Sequence, residues 1–333
     1  MKKIKIGIAS FAHMHAYSYY NNLKWMDEVE IIALAEENQY SLPEVEKLGE
    51  HVYHSYEKLV RDPAIDIIII TTETSKHKDV ACAALENGKD VIVEKPIALT
   101  REEADKMLST AEKSGCKLIQ CYPCRYHPTS QIIKNKIDAG ELGDLINISA
   151  TNHGQMPAHE GATKWFSQKE HSGGGALMDH ITHIADLNFW FSGQDIKSVF
   201  AVKKNLFHPD VDIDDAGMVH LNYSKGLDGV IDPSWSRPQH YETWGDVTMT
   251  IYGTEGTIDF NMFAQSSRCF SDNQDRANLI NYGADMDYLM LKDFVKNLKN
   301  DTMPMLSGKD GKNALEVALM AYESAEKGTV VSK

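Results

Sequence analysis

Apolar positions in the first third of the chain fall into short runs separated by longer stretches with helical spacing. Residues 3–9, 29–35, 66–71, 91–93 and 117–120 are β-branched or apolar runs of strand length. Between them, 15–26, 42–48, 77–87 and 101–114 carry helical patterns. Thr100, with Glu103 three residues on, reads as a capping box for the last of these helices. Gly88 and Gly115 stand where helices stop. Strands alternating with helices at this spacing predict a parallel sheet covered on both faces. From about residue 122 the rhythm changes. A helix near 128–139, a strand over 143–152 and a polar loop to Ser172 precede a long helix over 175–191. Strand-like segments at 196–203, 217–223, 229–235, 247–252 and 256–260 then predict a mainly antiparallel sheet, closed by helices near 285–298 and 308–326. The reading is an α/β chain of two domains, 1–121 and 122–333.

Length agrees with that division, since 333 residues suit two domains of about 150 each. Charge narrows the partners: 34 Lys+Arg against 48 Asp+Glu give a net −14, which excludes a polyanion such as nucleic acid as the expected ligand. No apolar stretch approaches the roughly 20 residues that span a bilayer. The first residues read as a strand rather than a signal peptide, because Lys5 interrupts the apolar run and Ser10, His13 and His15 follow at once. A soluble, cytoplasmic protein is expected. Five cysteines, an odd number, suit reduced thiols rather than a disulfide framework. Cys121 and Cys124 form a CxxC without a second ligand pair, Cys269 stands apart, and His13-Met14-His15 is no stronger, so no metal is expected.

The segment Gly173-Gly174-Gly175-Ala176-Leu177-Met178-Asp179-His180-Ile181-Thr182-His183 carries the sharpest chemistry. Asp179 and His183, four apart at the start of a helix, share one face. A base beside an acid is what proton abstraction from a hydroxyl requires, and three glycines let backbone approach a ligand closely. Read alone, the segment fits equally a glycine hinge before a helix with a surface Asp and a core His.

A dinucleotide in an alternating α/β domain sits at the first strand-to-helix turn. There Ser10, Ala12 and His15 occupy the three positions that glycine normally fills, around Phe11. Glu36, after the second strand, suits an acceptor for an adenosine ribose and would repel a 2′-phosphate, which favours NAD over NADP. Glu94-Lys95-Pro96 ends a predicted strand at the edge where ligands bind in parallel sheets, and Lys95 there can steady a reacting oxygen. A cis Lys95–Pro96 bond is compatible with the sequence.

Glu94-Lys95-Pro96, Tyr122-Pro123-Cys124-Arg125-Tyr126-His127-Pro128, the triple-glycine segment, Tyr252-Gly253-Thr254-Glu255-Gly256-Thr257 and Ser307-Gly308-Lys309-Asp310-Gly311 together resemble the glucose-fructose oxidoreductase, inositol dehydrogenase and rhizopine-catabolism (Gfo/Idh/MocA) family across nearly the whole chain. The resemblance implies an N-terminal Rossmann domain and a C-terminal α/β domain whose open sheet serves as an oligomer interface, giving a homodimer or homotetramer. It implies NAD(P)-dependent hydride transfer on a sugar or cyclitol hydroxyl. Lys95, Asp179 and His183 match the family's catalytic trio, Glu94 the nicotinamide-ribose contact and Arg125 a substrate-side position. Thr72 and His77 match the Thr-Pro-Asn-x-x-His turn, from which this chain departs with Glu73 and Thr74. Ser10, Phe11, Ala12, Glu36, Thr72, His77, Glu94 and Lys95 are therefore the cofactor candidates, and Arg125, His153 and Asp179 the substrate candidates. Asp186 is a candidate to hold His183 from behind, and His159, Trp165, Trp235 and Arg237 fall in segments that can rim the pocket. Two other functions fit the same resemblance: a catalytically silent sugar- or nucleotide-binding regulator, and an NAD-dependent glycosidase working by transient oxidation.

Overall fold

Four consecutive isoleucines, Ile67–Ile70, form the buried strand around which the front half is built. A computed structural model of the protein describes residues 3–157, 160–264, 266–269, 278–281 and 283–333. The chain runs β1 (Ile4–Ala9), α1 (His15–Lys24), β2 (Val29–Ala35), α2 (Leu42–Glu46), β3 (Val52–Tyr53), α3 (Tyr56–Arg61), β4 (Ile67–Ile70), α4 (Thr74–Glu86), β5 (Asp90–Val93), α5 (Arg101–Ser114) and β6 (Leu118–Gln120). These six strands form one parallel sheet in the order β3-β2-β1-β4-β5-β6. Apolar, β-branched strands suit a sheet covered on both faces. The predicted strands and helices are present; β3 and α3 were too short to show a period. Thr100 caps α5 by accepting from the Glu103 amide at 3.2 Å, and Gly115 ends the helix at φ +71°.

The back half continues through a short 3₁₀ turn (Pro123–Tyr126) into α6 (Pro128–Asp138) and β7 (Leu145–Gly154). A second 3₁₀ turn (Gly161–Ser167) and α7 (Lys169–Ser172) lead to the long α8 (Ala176–Ser192). Then follow β8 (Ile196–Lys204), β9 (Ala216–Tyr223), β10 (Asp228–Ser234), β11 (Gly245–Gly253), β12 (Thr257–Asn261), the pair β13 (Ser266–Cys269) and β14 (Asn278–Asn281), α9 (Met286–Lys299), α10 (Gly308–Lys327) and β15 (Val331–Ser332). A seven-stranded sheet is ordered β12-β11-β7-β10-β9-β8-β15. It is antiparallel except where β7 and β10 run parallel, from Asn147 opposite Asp228 to His153 opposite Ser234. One face of this sheet is covered by α8, and α10 packs on α8 and β8 as well as on α5 and β6 of the front half. That bridging helix fixes the carboxyl edge of the parallel sheet against the start of α8.

Candidate active site

β5 delivers Glu94, Lys95 and Pro96 to the carboxyl edge of the parallel sheet, with Lys95–Pro96 in the cis form. His77 on α4 ties that turn to the one after β4: its Nδ1 lies 3.0 Å from the Pro96 carbonyl and its Nε2 3.2 Å from the Thr72 carbonyl. Burial lowers its pKa, so the neutral ring donates to one of these carbonyls and rests against the other. Thr72 turns its hydroxyl to the Glu73 carbonyl at 3.1 Å. The pair that resembles a cofactor-binding motif thus spends its polar atoms on shaping two loops.

The glycines before α8 admit protein, not ligand. A Cβ on Gly174 would lie 2.0 Å from the Tyr322 hydroxyl, and one on Gly175 1.8 Å from the Asp214 carbonyl oxygen. This close approach lets Asp214 cap the helix: its carboxylate accepts from the Leu177 amide at 2.9 Å, the Gly175 amide at 3.3 Å and the Tyr322 hydroxyl at 2.7 Å. An anion at a helix N-terminus is stabilising. Gly175→Ala is expected to force the Asp214 backbone away and destabilise the fold by at least the 1–3 kcal/mol typical of overpacking, read as a lowered urea midpoint.

The first turn of α8 then presents Asp179 to Lys95. The Lys95 ammonium donates to Asp179 Oδ1, while Oδ2 accepts from the Trp235 indole at 3.0 Å and lies 3.2 Å from His180 Nε2. Lys95 and Asp179 are 6 and 7 % exposed, so the pair sits at the bottom of a cleft rather than on a surface. Burial pushes the Asp179 carboxyl up, but the Lys95 charge and then His180 outweigh it and hold it well below the usual range, hence ionised. One turn on, His183 joins them. Burial, reinforced by the Lys95 charge, holds its imidazole well below 6.5 against the opposing pull of Asp179. It is therefore neutral at physiological pH and able to accept a proton. Its Nδ1 is buried and makes no hydrogen bond among the described residues, and the residue lines both cavities at this site.

Two adjoining cavities share His15, Asn152, His183 and Trp244. The inner one, of about 90 Å³, reaches Lys95, Asp179, His180 and His13. The outer one, of about 350 Å³, is walled by Cys124, Thr243, Phe263 and Met286.

His13, His15 and Glu94 also converge, their donor atoms lying within 4.8 Å of one another. Hydrogen bonding accounts for the group. His15 Nδ1 is 3.0 Å from Glu94 Oε1, Tyr19 donates to the same oxygen, and the Lys95 amide donates to Oε2 at 2.8 Å. His13 Nδ1 accepts from the His15 amide at 3.2 Å, so its single ring proton sits on Nε2, and that nitrogen offers an N–H rather than a lone pair. Burial holds the His13 pKa down to about 3.

The family model for the oxidoreductase family with an NAD-binding Rossmann fold matches residues 4–122, and that for the GFO/IDH/MocA C-terminal domain matches 130–259. The chain belongs to the Gfo/Idh/MocA oxidoreductase family. Among its relatives, myo-inositol 2-dehydrogenase of Thermotoga maritima is 27 % identical over 96 % of this chain and 95 % of its own length. The scyllo-inositol 2-dehydrogenase (NAD(+)) of Bacillus subtilis is 28 % identical over 86 and 82 %. A levoglucosan dehydrogenase solved with NADH and levoglucosan shares the fold at a TM-score of 0.83 and 22 % identity, covering 99 % of both chains.

Within this Gfo/Idh/MocA chain, several sequence-selected residues lie elsewhere than expected. Arg125 is not at the cavity wall: its guanidinium clamps Asp186 at 2.6 and 2.7 Å, reaches Asp310 at 2.8 Å, and is 4 % exposed. A buried cation needs such partners. For the same reason Asp186 faces Arg125 and does not hold His183. His153 points to the far face of β7, where its ring nitrogens lie 3.3 Å from Arg237 and 3.2 Å from Asp232. Side chains alternate along a strand, so the neighbouring Asn152 is the one that reaches the cavity, its Oδ1 without a hydrogen bond. Arg237 is spent on Asp246. Trp165 donates to the Ala12 carbonyl at 3.2 Å, and His159 lies outside the described residues. Sequence reading passed over His15, Asn152, His180 and Trp244 as site residues; the periodicity of β7 and the helical neighbours of Asp179 held the signal for two of them.

Proposed function

We propose that this chain is an NAD(H)-dependent dehydrogenase acting on one secondary hydroxyl of a cyclitol or sugar. The observation that carries the reading is the convergence of Lys95, Asp179 and His183 on one cavity. His13, Asn152 and His183 line that cavity, and Asn152 Oδ1 and His13 Nε2 have no hydrogen-bond partner among the described residues, which suits a polar ligand group there. When bound there, nicotinamide supplies the hydride acceptor. The residues do the rest. His183 Nε2 takes the hydroxyl proton, and the Lys95 ammonium donates to the same oxygen as negative charge grows on it. Asp179 keeps that ammonium in place, aided by the Trp235 indole. Trp244, 44 % exposed at the mouth of the outer cavity, is suited to lie against the apolar face of a sugar ring.

Glu36 supports NAD over NADP through its negative charge near the adenosine ribose. Titration with each cofactor, followed by a cyclitol and aldose panel read as reduced nicotinamide, tests both choices. Turnover with at least one polyol and tighter binding of NAD is the expected result; no reduced cofactor with any of them overturns the assignment. A silent regulator has no need of a neutral histidine and a paired lysine facing one cavity. Exposed Phe200, Val202 and Met218, with Val202 opposite Met218 on β8 and β9, support self-association through the open sheet, and a dimeric or tetrameric mass by light scattering is expected.

A further inference from the structure

In a sheet of this strand order, the turn after β1 holds a dinucleotide's pyrophosphate with its amides, and the acidic residue after β2 holds the adenosine ribose. In this chain those groups hold one another. Glu36 Oε2 accepts from the Phe11 amide at 2.6 Å and the Ser10 hydroxyl at 3.1 Å, while Oε1 accepts from the Asn38 amide at 2.8 Å and the Tyr56 hydroxyl at 3.2 Å. Ser10 Oγ in turn accepts from the Ala12 amide at 3.0 Å, and the His13 amide goes to the Thr71 carbonyl at 3.1 Å. The amides of Phe11, Ala12 and His13 are thus already satisfied within the protein.

Enclosure matches the bonding. Glu36, Ser10 and Ala12 are 0 % exposed, and Phe11 packs edge-on against Tyr17 with ring centres 5.0 Å apart. The Tyr56 ring lies under Lys76, whose Nζ is 5.6 Å from its centre and 3.2 Å from Glu73. Ser10 adopts φ +78°, where glycine is the unstrained residue. Its hydroxyl, bonded on both sides, compensates for that strain.

Resting on the NAD(H) reading above, we infer that Ser10 and Tyr56 set the affinity for the dinucleotide by competing with its ribose and phosphates for Glu36 and the loop amides. A site that must open before binding loses affinity in proportion to its open fraction. Hydrogen bonds to a carboxylate are stronger than neutral ones, so removing one donor raises that fraction by about tenfold.

Tyr56→Phe deletes one donor with its ring retained, and Ser10→Ala deletes the bridging hydroxyl. Two measurements are made on the full chain: hydrogen exchange of the 10–13 amides without nucleotide, and calorimetric titration with NAD. Protected amides in the wild type, faster exchange in both variants and NAD binding about tenfold tighter in both are expected. Amides that exchange freely in the wild type, or variants that bind NAD equally or more weakly, overturn the inference. Failure of the dehydrogenase reading registers separately, as absence of reduced nicotinamide from the wild type with every polyol.

Discussion

His183→Ala is expected to lower kcat by about 10²–10⁴, the range by which general acid–base help accelerates proton transfer. The substitution removes a neutral imidazole that lines the inner cavity beside Lys95 and Asp179, while leaving those two paired. Substrate binding should change less than turnover. The wild-type pH profile adds a second check. A lowered pKa keeps His183 unprotonated through the neutral range, so the acid limb of kcat/KM should lie well below pH 6.5 rather than at it. The same shift has a stability consequence: a histidine whose folded pKa lies below its unfolded value contributes stability that is lost as pH falls below about 6.5 toward the folded value. A full-rate His183→Ala enzyme, or an acid limb that the variant retains unchanged, would show that the proton leaves by another group.

Lys95→Met carries the second large effect, and it acts on both rate and fold. Removing the ammonium deletes the donor to the reacting oxygen and leaves the Asp179 carboxylate buried with only the Trp235 indole and His180 beside it. Breaking a buried pair by deleting one partner costs about 3–5 kcal/mol. A lower urea midpoint with unchanged m, together with a rate loss comparable to that of His183→Ala, is the expected pattern. Lys95→Met combined with Asp179→Asn should recover much of the stability and none of the rate, because the orphaned charge is gone while the oxyanion donor is still missing. Recovery of turnover in the double variant would contradict the role assigned to Lys95.

The two catalytic variants differ in a useful way from Arg125→Met. Arg125 resembles a substrate-side residue in sequence, yet its guanidinium is enclosed by Asp186 and Asp310. Its loss is expected to destabilise the protein by a similar few kcal/mol with little change in kcat per folded molecule, measured by active-site titration alongside thermal unfolding.

Local sequence determined the elements of this chain, because hydrophobic period, caps and glycine stops act within a few residues: the strands of the parallel sheet, Thr100 at the start of α5, and Asp179 and His183 on one face of α8 were all legible. Motif order determined the family. What the sequence could not set was the partner of each polar side chain, since hydrogen bonds across the fold join residues far apart in the chain. Glu36 had the right place for a ribose acceptor, but the Ser10, Phe11, Asn38 and Tyr56 donors meet there only after β1, β2 and α3 pack together. The triple glycine looked like a ligand cradle, and only the approach of Asp214 and Tyr322 showed that its missing Cβ atoms make room for the protein itself. Likewise β7 offered His153 as the candidate, and the pleat of a strand locked into a sheet turned its neighbour Asn152 toward the cavity and His153 away from it.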